Sequence, residues 1–231
     1  MSFQKQIILT ITLLIGTIFL FEFTNFDLAL QDHFCLRGCH QWMIDKRDPI
    51  LRLIFYTGIK DLIIVFGIIC FFCCLFSFKV RRLAKYRRFC VLICLSLIIV
   101  PGTISILKNI SNVYTPSKIR RYGGDCPYVK AFGKYPPGYK QTKRGKGWPA
   151  GHASGGFALM MLYYAFTRKK FRIMGLSIGL TLGWTMGLYQ MLKGAHYLSH
   201  TVITMFIAWI GILIIYRITR LELIKPVFKN P

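Results

Sequence analysis

Trp148-Pro149-Ala150-Gly151-His152-Ala153-Ser154-Gly155-Gly156 (WPAGHASGG) is where the chain changes character. A loop crowded with Lys and Arg precedes it, and the apolar run FALMMLYYAF (157–166) follows. A histidine set among small residues thus stands at the mouth of a hydrophobic helix. Working outward, the chain is 231 residues long, 54% hydrophobic, with a formal charge of +23 and a mean hydropathy of +0.47. So basic a chain invites a nucleic-acid reading. The distribution of charge excludes it, because the cations lie in short blocks between apolar runs, as in a multi-span membrane protein.

Six runs are long enough to cross a bilayer, which takes about 17–25 residues: 7–23, 62–78, 89–107, 150–167, 173–192 and 198–216. The expected architecture is an all-α integral membrane protein with six transmembrane helices in one bundle, forming a single domain over 1–231. Pro101-Gly102 predicts a kink in the third span, and the first span reads as a retained anchor because no small-residue cleavage site follows it. The blocks KVRRLAKYRR (79–88) and RKKFR (168–172) mark cytoplasmic loops. Both termini are then cytoplasmic, and the loops at about 24–61, 108–149 and 193–198 face outward.

Residues 104–150 carry ten basic side chains against one acid, Asp125. Such a funnel above a membrane would concentrate anionic head groups. Gly123-Gly124-Asp125 signals a turn within it. Cys70, Cys73, Cys74, Cys90 and Cys94 read as apolar fillers of spans two and three. In HFCLRGCH (33–40), a Cys35–Cys39 disulfide, or a bridge from either to Cys126, is favoured over a metal site. Six of the eight acids precede Leu62, so the second half has no carboxylate cluster for Mg²⁺ or Ca²⁺.

The later histidines, His152, His196 and His200, all map to outer ends of spans. His196 and His200 are spaced to share a helix face, and Lys193 joins that stripe if the helix continues backward. Two histidines and a lysine, without metal or carboxylates, suit phosphoryl transfer through a phosphohistidine. Amides at the start of a helix opened by Pro149, with Gly151 permitting close approach, would hold the phosphate oxygens.

Three blocks in this order resemble the signature of the phosphatidic acid phosphatase type 2 superfamily, which also includes vanadium haloperoxidases. They are KNISNVYTP (Lys108 to Pro116), PAGH (Pro149 to His152) and YQMLKGAHYLSH (Tyr189 to His200). The likeness is close over spans three to six, with a catalytic core at about 104–205, and is one of layout in spans one and two. It implies His196 as nucleophile, His152 as general acid, and Lys108 with the Gly151-His152 backbone as phosphate ligands. Thr115, Gln190 and Ser154 fall at or beside the remaining phosphate-binding positions, and no cofactor or metal is needed.

The signature is departed from at four places: Thr115 stands for Arg, Ala150 for Ser, Gln190 for Arg and His200 for the Asp that orients the nucleophile. Lys118, Arg120, Arg121, Lys143, Arg144 and Lys193 are the cations near enough in sequence to compensate, although Lys lacks the bidentate fork of Arg. His200, or Asp125 from the loop, is expected to hold the His196 ring. Among relatives the layout is most similar to the bacterial lipid A phosphatases. The resemblance implies metal-independent dephosphorylation of an anionic phospholipid or glycolipid (lipid A-type, phosphatidylglycerophosphate or polyprenyl pyrophosphate) at the periplasmic face of an inner membrane. The partners are that substrate and the membrane, with no nucleic acid and no protein partner implied. The alternatives are a lipid phosphotransferase using the same site and a non-catalytic lipid-binding descendant.

Overall fold

The computed structural model describes residues 2–36 and 41–223. Apart from a two-stranded hairpin, β1 (Cys35–Leu36) with β2 (Gln41–Trp42), its regular structure is helical. Five helices are long and apolar enough to cross a membrane, which makes this a multi-pass membrane protein. They are α1 (Phe3–Phe23), the continuous stretch Pro49–Phe76, α6 (Arg87–Ile110), α9 (Lys169–Leu192) and α10 (Leu198–Leu223). Between α1 and the second long helix lies the short α2 (Phe26–Phe34), and α5 (Arg81–Ala84) sits in the basic turn before α6. Large apolar side chains stay exposed on the outer helices, among them Ile8, Phe19, Leu62, Phe71 and Ile98. Lipid is a solvent that such surfaces tolerate.

The second long helix begins well before residue 62. Asp48 caps it, its Oδ1 accepting from the amides of Ile50 (2.9 Å) and Leu51 (3.0 Å), and Pro49 occupies the first turn. After α3 (Pro49–Arg52) comes a π-helical turn, Leu53–Thr57, and then α4 (Gly58–Phe76). The Gly58 amide reaches back five residues to the Leu53 carbonyl. A Cβ on Gly58 would lie 2.6 Å from that oxygen. In α6 the helix runs on through Pro101.

The fourth expected span is helical but short and broken. It comprises α7 (Gly151–Ala158), a 3₁₀ turn (Leu159–Met161) and α8 (Leu162–Ala165). At about 1.5 Å per residue this reaches about 22 Å, less than the about 30 Å of a hydrocarbon core. At the break Ser96 of α6 donates to the Ala158 carbonyl at 2.8 Å, a bond from outside the segment. The segment packs against α9, α6 and α10, and Phe157, Met160 and Met161 are almost wholly buried there.

What permits such burial is a stripe of glycines one turn apart on α9: Gly175, Gly179, Gly183 and Gly187. A Cβ on Gly183 would lie 2.2 Å from the Phe157 ring, and one on Gly179 would lie 2.4 Å from the Met160 amide. Gly156 on α7 would meet the Gly183 backbone at 2.4 Å. Small residues at this spacing allow helix backbones to touch. On the other side α1 lies along α10, and the Tyr164 hydroxyl donates to Gln6 Oε1 at 2.6 Å.

Gly179→Ala and Gly183→Ala should each lower stability by about 1–3 kcal/mol, the usual cost of overpacking, and reduce the folded yield in detergent. Gly16→Ala, where nothing lies within 4 Å of the added methyl, should leave thermal unfolding unchanged or raise its midpoint. Equal melting temperatures for all three would refute the close-packing account.

Candidate functional site

His152 lies at the start of α7, where the Gly151, His152 and Ala153 amides have no intrahelical acceptor. Pro149, expected to open this helix, precedes it in a cis peptide with Trp148. The Ala150 amide is already used, donating to Thr204 Oγ1 (2.9 Å) and to the His200 carbonyl (3.2 Å). These bonds fasten the start of α7 to α10. Ser154, expected near the phosphate, instead donates to the Gly151 carbonyl at 2.7 Å.

His196 sits in the turn between α9 and α10. The amides of Ala195 and His196 both donate to the Gln190 carbonyl, at 2.8 and 3.3 Å, and Gly194 takes a φ of 73°. The turn is held from outside as well. Gln31 of α2 donates to the Met191 carbonyl (2.9 Å), the Ile44 amide to Leu192 (3.3 Å), and the Ser117 amide to Gly194 (2.9 Å). A Cβ on Gly194 would lie 2.3 Å from the Trp42 ring.

The structure brings His152, His196, His200, Lys108 and Gly151 together. The His152 and His196 rings lie 5.5 Å apart between centroids. His196 Nδ1 faces His200 Nδ1 at 3.4 Å, one ring donating and the other accepting. The Gly147 backbone lies beside both rings and favours their charged forms, against the effect of burial. Burial, reinforced by His200, His152 and Lys108, holds the His196 imidazole well below its usual pKa, so the ring is neutral. Lys108 Nζ stands 3.7 Å from where a Gly151 Cβ would be, which places the lysine against the start of α7.

One of the expected residues lies elsewhere. Thr115 lines a separate cleft in the outer loop. Gln190 is buried with its side-chain nitrogen unpartnered among the described residues, and it contributes to the turn through its carbonyl. Asp125 also lines the loop cleft. Of the candidate replacement cations, Arg121 is committed to Asp32 through bonds of 2.8 and 2.6 Å, and Arg144 donates to the Ile110 carbonyl. Lys193 does reach the site, packing over Tyr189 at 4.5 Å and Tyr56 at 5.7 Å.

Three residues that sequence reasoning missed complete the arrangement. The π turn aims Tyr56 at His152, placing its hydroxyl 2.9 Å from Nδ1 with the rings edge-on. Lys60, one turn further along, joins Lys108 and Lys193 in acting on the His152 ring. Both had been read as part of an outer loop; the Asp48-Pro49 cap was the signal that helix starts there. The third is Asp27, which is buried and accepts from the Ser199 amide at 2.9 Å and from the Ser199 hydroxyl. It fixes the first turn of α10, where His200 is the next residue. No bridge joins Cys126 to Cys35. Every pairing of Cys39 and the metal alternative at 33–40 involve residues outside those described.

From His152 an apolar groove of about 680 Å³ runs between α4 and α6, past Lys60, Ile63, Gly67 and Leu97 to Phe71. The family model for the PAP2 superfamily matches residues 86–223. The chain belongs to the PAP2 superfamily. That stretch holds all three signature blocks and every histidine of the site. Comparison with curated proteins and with solved structures returns no match.

Burial lifts the Asp27 carboxyl from its ordinary 3.8 to about 6, against the opposing Ser199 bonds and the charge of Lys130. Between those values the folded protein holds a proton that the unfolded chain has released, so stability falls as pH rises. The slope should reach about 1.4 kcal/mol per pH unit. Buried His196 titrates in the opposite sense over the same range, so the decline is read as a difference: from pH 4 to 6 the stability of the wild type relative to Asp27→Asn should fall, the variant keeping the more positive slope. An unchanged slope in the variant would refute the assignment.

Proposed function

We propose that this protein is a metal-independent lipid phosphatase working through a phosphohistidine on His196. One observation carries the reading: two facing histidines and three lysines stand at the head of a groove lined by apolar side chains. A phosphate bearing a long apolar tail matches both ends of that space. The whole chain acts as one membrane-embedded unit, the sixth crossing being the short segment of α7 and α8 lodged among the others. By the charge of the 79–88 and 168–172 loops, the site faces the periplasm of an inner membrane.

In this mechanism Lys108, Lys60, Lys193 and the amides at the start of α7 hold the non-bridging oxygens. The ring nitrogen of His196 that faces away from His200 attacks phosphorus, and the bond from phosphorus to the lipid oxygen breaks. His152 passes its proton to that oxygen. The bound phosphate dianion favours the charged imidazolium beforehand, with Nδ1–H donating to the Tyr56 hydroxyl. In the second half His152 takes a proton from water, the oxygen attacks phosphorus, and the nitrogen–phosphorus bond breaks to release phosphate. His200 and the Gly147 backbone keep the His196 ring turned toward the phosphate, the task given to Asp in the usual signature. The likeness to lipid A phosphatases favours a lipid A-type substrate, with phosphatidylglycerophosphate and polyprenyl pyrophosphate sharing the required chemistry.

Phosphate release from lipid phosphates in detergent should persist in EDTA. His196→Ala should abolish it, and His152→Ala should lower it by about 10²–10⁴-fold. Tyr56→Phe, losing one hydrogen bond, should cost about five-fold. Wild-type turnover in both histidine variants would sink the mechanism. Label passing from a donor lipid to a second lipid would make the enzyme a phosphotransferase, and no turnover of any lipid would leave a binding protein.

A further inference from the structure

We infer that the outer loop contains a second anion subsite, built to take a phosphate or carboxylate carried outside the reacting phosphate on the same headgroup. The site is a cleft of about 760 Å³ whose walls include Lys118, Lys143, Arg144 and Lys146, with Asp125 as its one acid. Among the described residues there are two ion pairs, Lys60–Asp61 and Arg121–Asp32. Neither involves the cleft, where five cations, Lys140 among them, face the single carboxylate of Asp125. Bringing these charges together costs free energy that an anion would recover.

The charges are held by a framework, unlike those of a loose solvated tail. Asn112 and Gln141 exchange two hydrogen bonds of 2.7 Å. The Gly145 amide donates to Asn112 Oδ1 at 2.8 Å, and the Gly147 amide to the Val113 carbonyl at 2.7 Å. A Cβ on Gly145 would lie 2.6 Å from the Val113 carbonyl, so the loop is pressed against its facing strand of chain. The opposite wall is closed by Arg120 N to the Cys126 carbonyl (2.8 Å) and Cys126 N to the Lys118 carbonyl (3.0 Å).

The cleft adjoins the histidines on both sides. Lys146 stands four residues before Ala150, whose amide bonds to the His200 carbonyl. Ser117, beside Lys118, bonds to Gly194 in the turn that carries His196. Lys146 also acts on Lys108 across the intervening space. A headgroup whose phosphate sits at His152 would therefore present its outward part to this cleft.

The inference rests on the phosphatase reading only in taking the ligand to be that same lipid. Two lipids of equal acyl composition, one with a single phosphate and one with a second phosphate on its headgroup, should differ in kcat/KM by at least about ten-fold in favour of the second. The difference should lie in KM. In Lys118→Gln/Lys143→Gln protein the preference should fall toward one. Equal turnover of both lipids by the wild type, or an unchanged preference in the variant, would overturn the subsite. Inorganic tripolyphosphate competing against the second lipid in wild type but not in the variant would show that the cleft also takes free anions; preference without competition would assign it to the lipid headgroup alone. Binding of both lipids to His196→Ala protein in nanodiscs separates the two proposals. A binding preference there, alongside a wild type that hydrolyses neither lipid, would keep the subsite and remove the phosphatase.

Discussion

Everything at the outer end of this protein depends on the contact of α7 and α8 with the glycine stripe of α9. Gly156 and Gly183 meet backbone to backbone, and Phe157 fills the space that a side chain at 183 would need. That contact lets a short helix, interrupted by a 3₁₀ turn, lie buried without a lipid-facing surface of its own. A continuous crossing helix has no call for its N-terminus to be anywhere but the membrane surface. A short one seated among neighbours carries its N-terminus, with its free amides and His152, to a level chosen by packing. The Ser96 bond to the Ala158 carbonyl ties the break to α6.

The second constraint is that His196 belongs to a turn, which by itself would fray. Its geometry is imposed from distant parts of the chain: Gln31 and Trp42 from the outer segment after α1, Ser117 from the cationic loop, and Asp27 through Ser199. Each contact spans more than seventy residues. This explains why carboxylates concentrated early in the sequence still matter to a site whose reactive groups all come late. Asp27 does not touch the reacting ring. It orders the helix start on which the ring's neighbour, His200, is mounted.

The sequence announced the late half of the molecule far better than the early half. Blocks such as KNISNVYTP and PAGH are local, so order and spacing alone placed Lys108, Gly151, His152 and His196 at one membrane level, and folding set them side by side. The apolar runs were equally plain, because lipid selects composition directly. Tyr56 and Lys60 were lost because a π turn has no periodic signature, and because charged residues at 45–48 and 60–61 broke the hydropathy window before the helix truly began. The α9 glycines were lost for another reason. Their meaning lies in what faces them, and neither Phe157 nor Met160 can be paired with them from sequence. The same limit applied to Thr115, which the signature spacing put at a phosphate-binding position but which lines the loop cleft.

In the proposed mechanism lysines from other positions take over the work that the usual signature gives to guanidiniums. An Arg fork fixes a phosphate by two directed bonds and tolerates burial, because its charge is diffuse. Lys108, Lys60 and Lys193 are point charges on flexible stems, two of them resting on the Tyr56 and Tyr189 rings. They can neutralise a phosphate but hold its orientation less well. Orientation must then come from elsewhere: from the fixed amides of α7, from the groove that aligns the tail, and from whatever part of the headgroup the outer cleft retains. A ligand gripped at both ends needs fewer directed bonds in the middle, and this links the missing arginines to the surplus of cations in the loop above them.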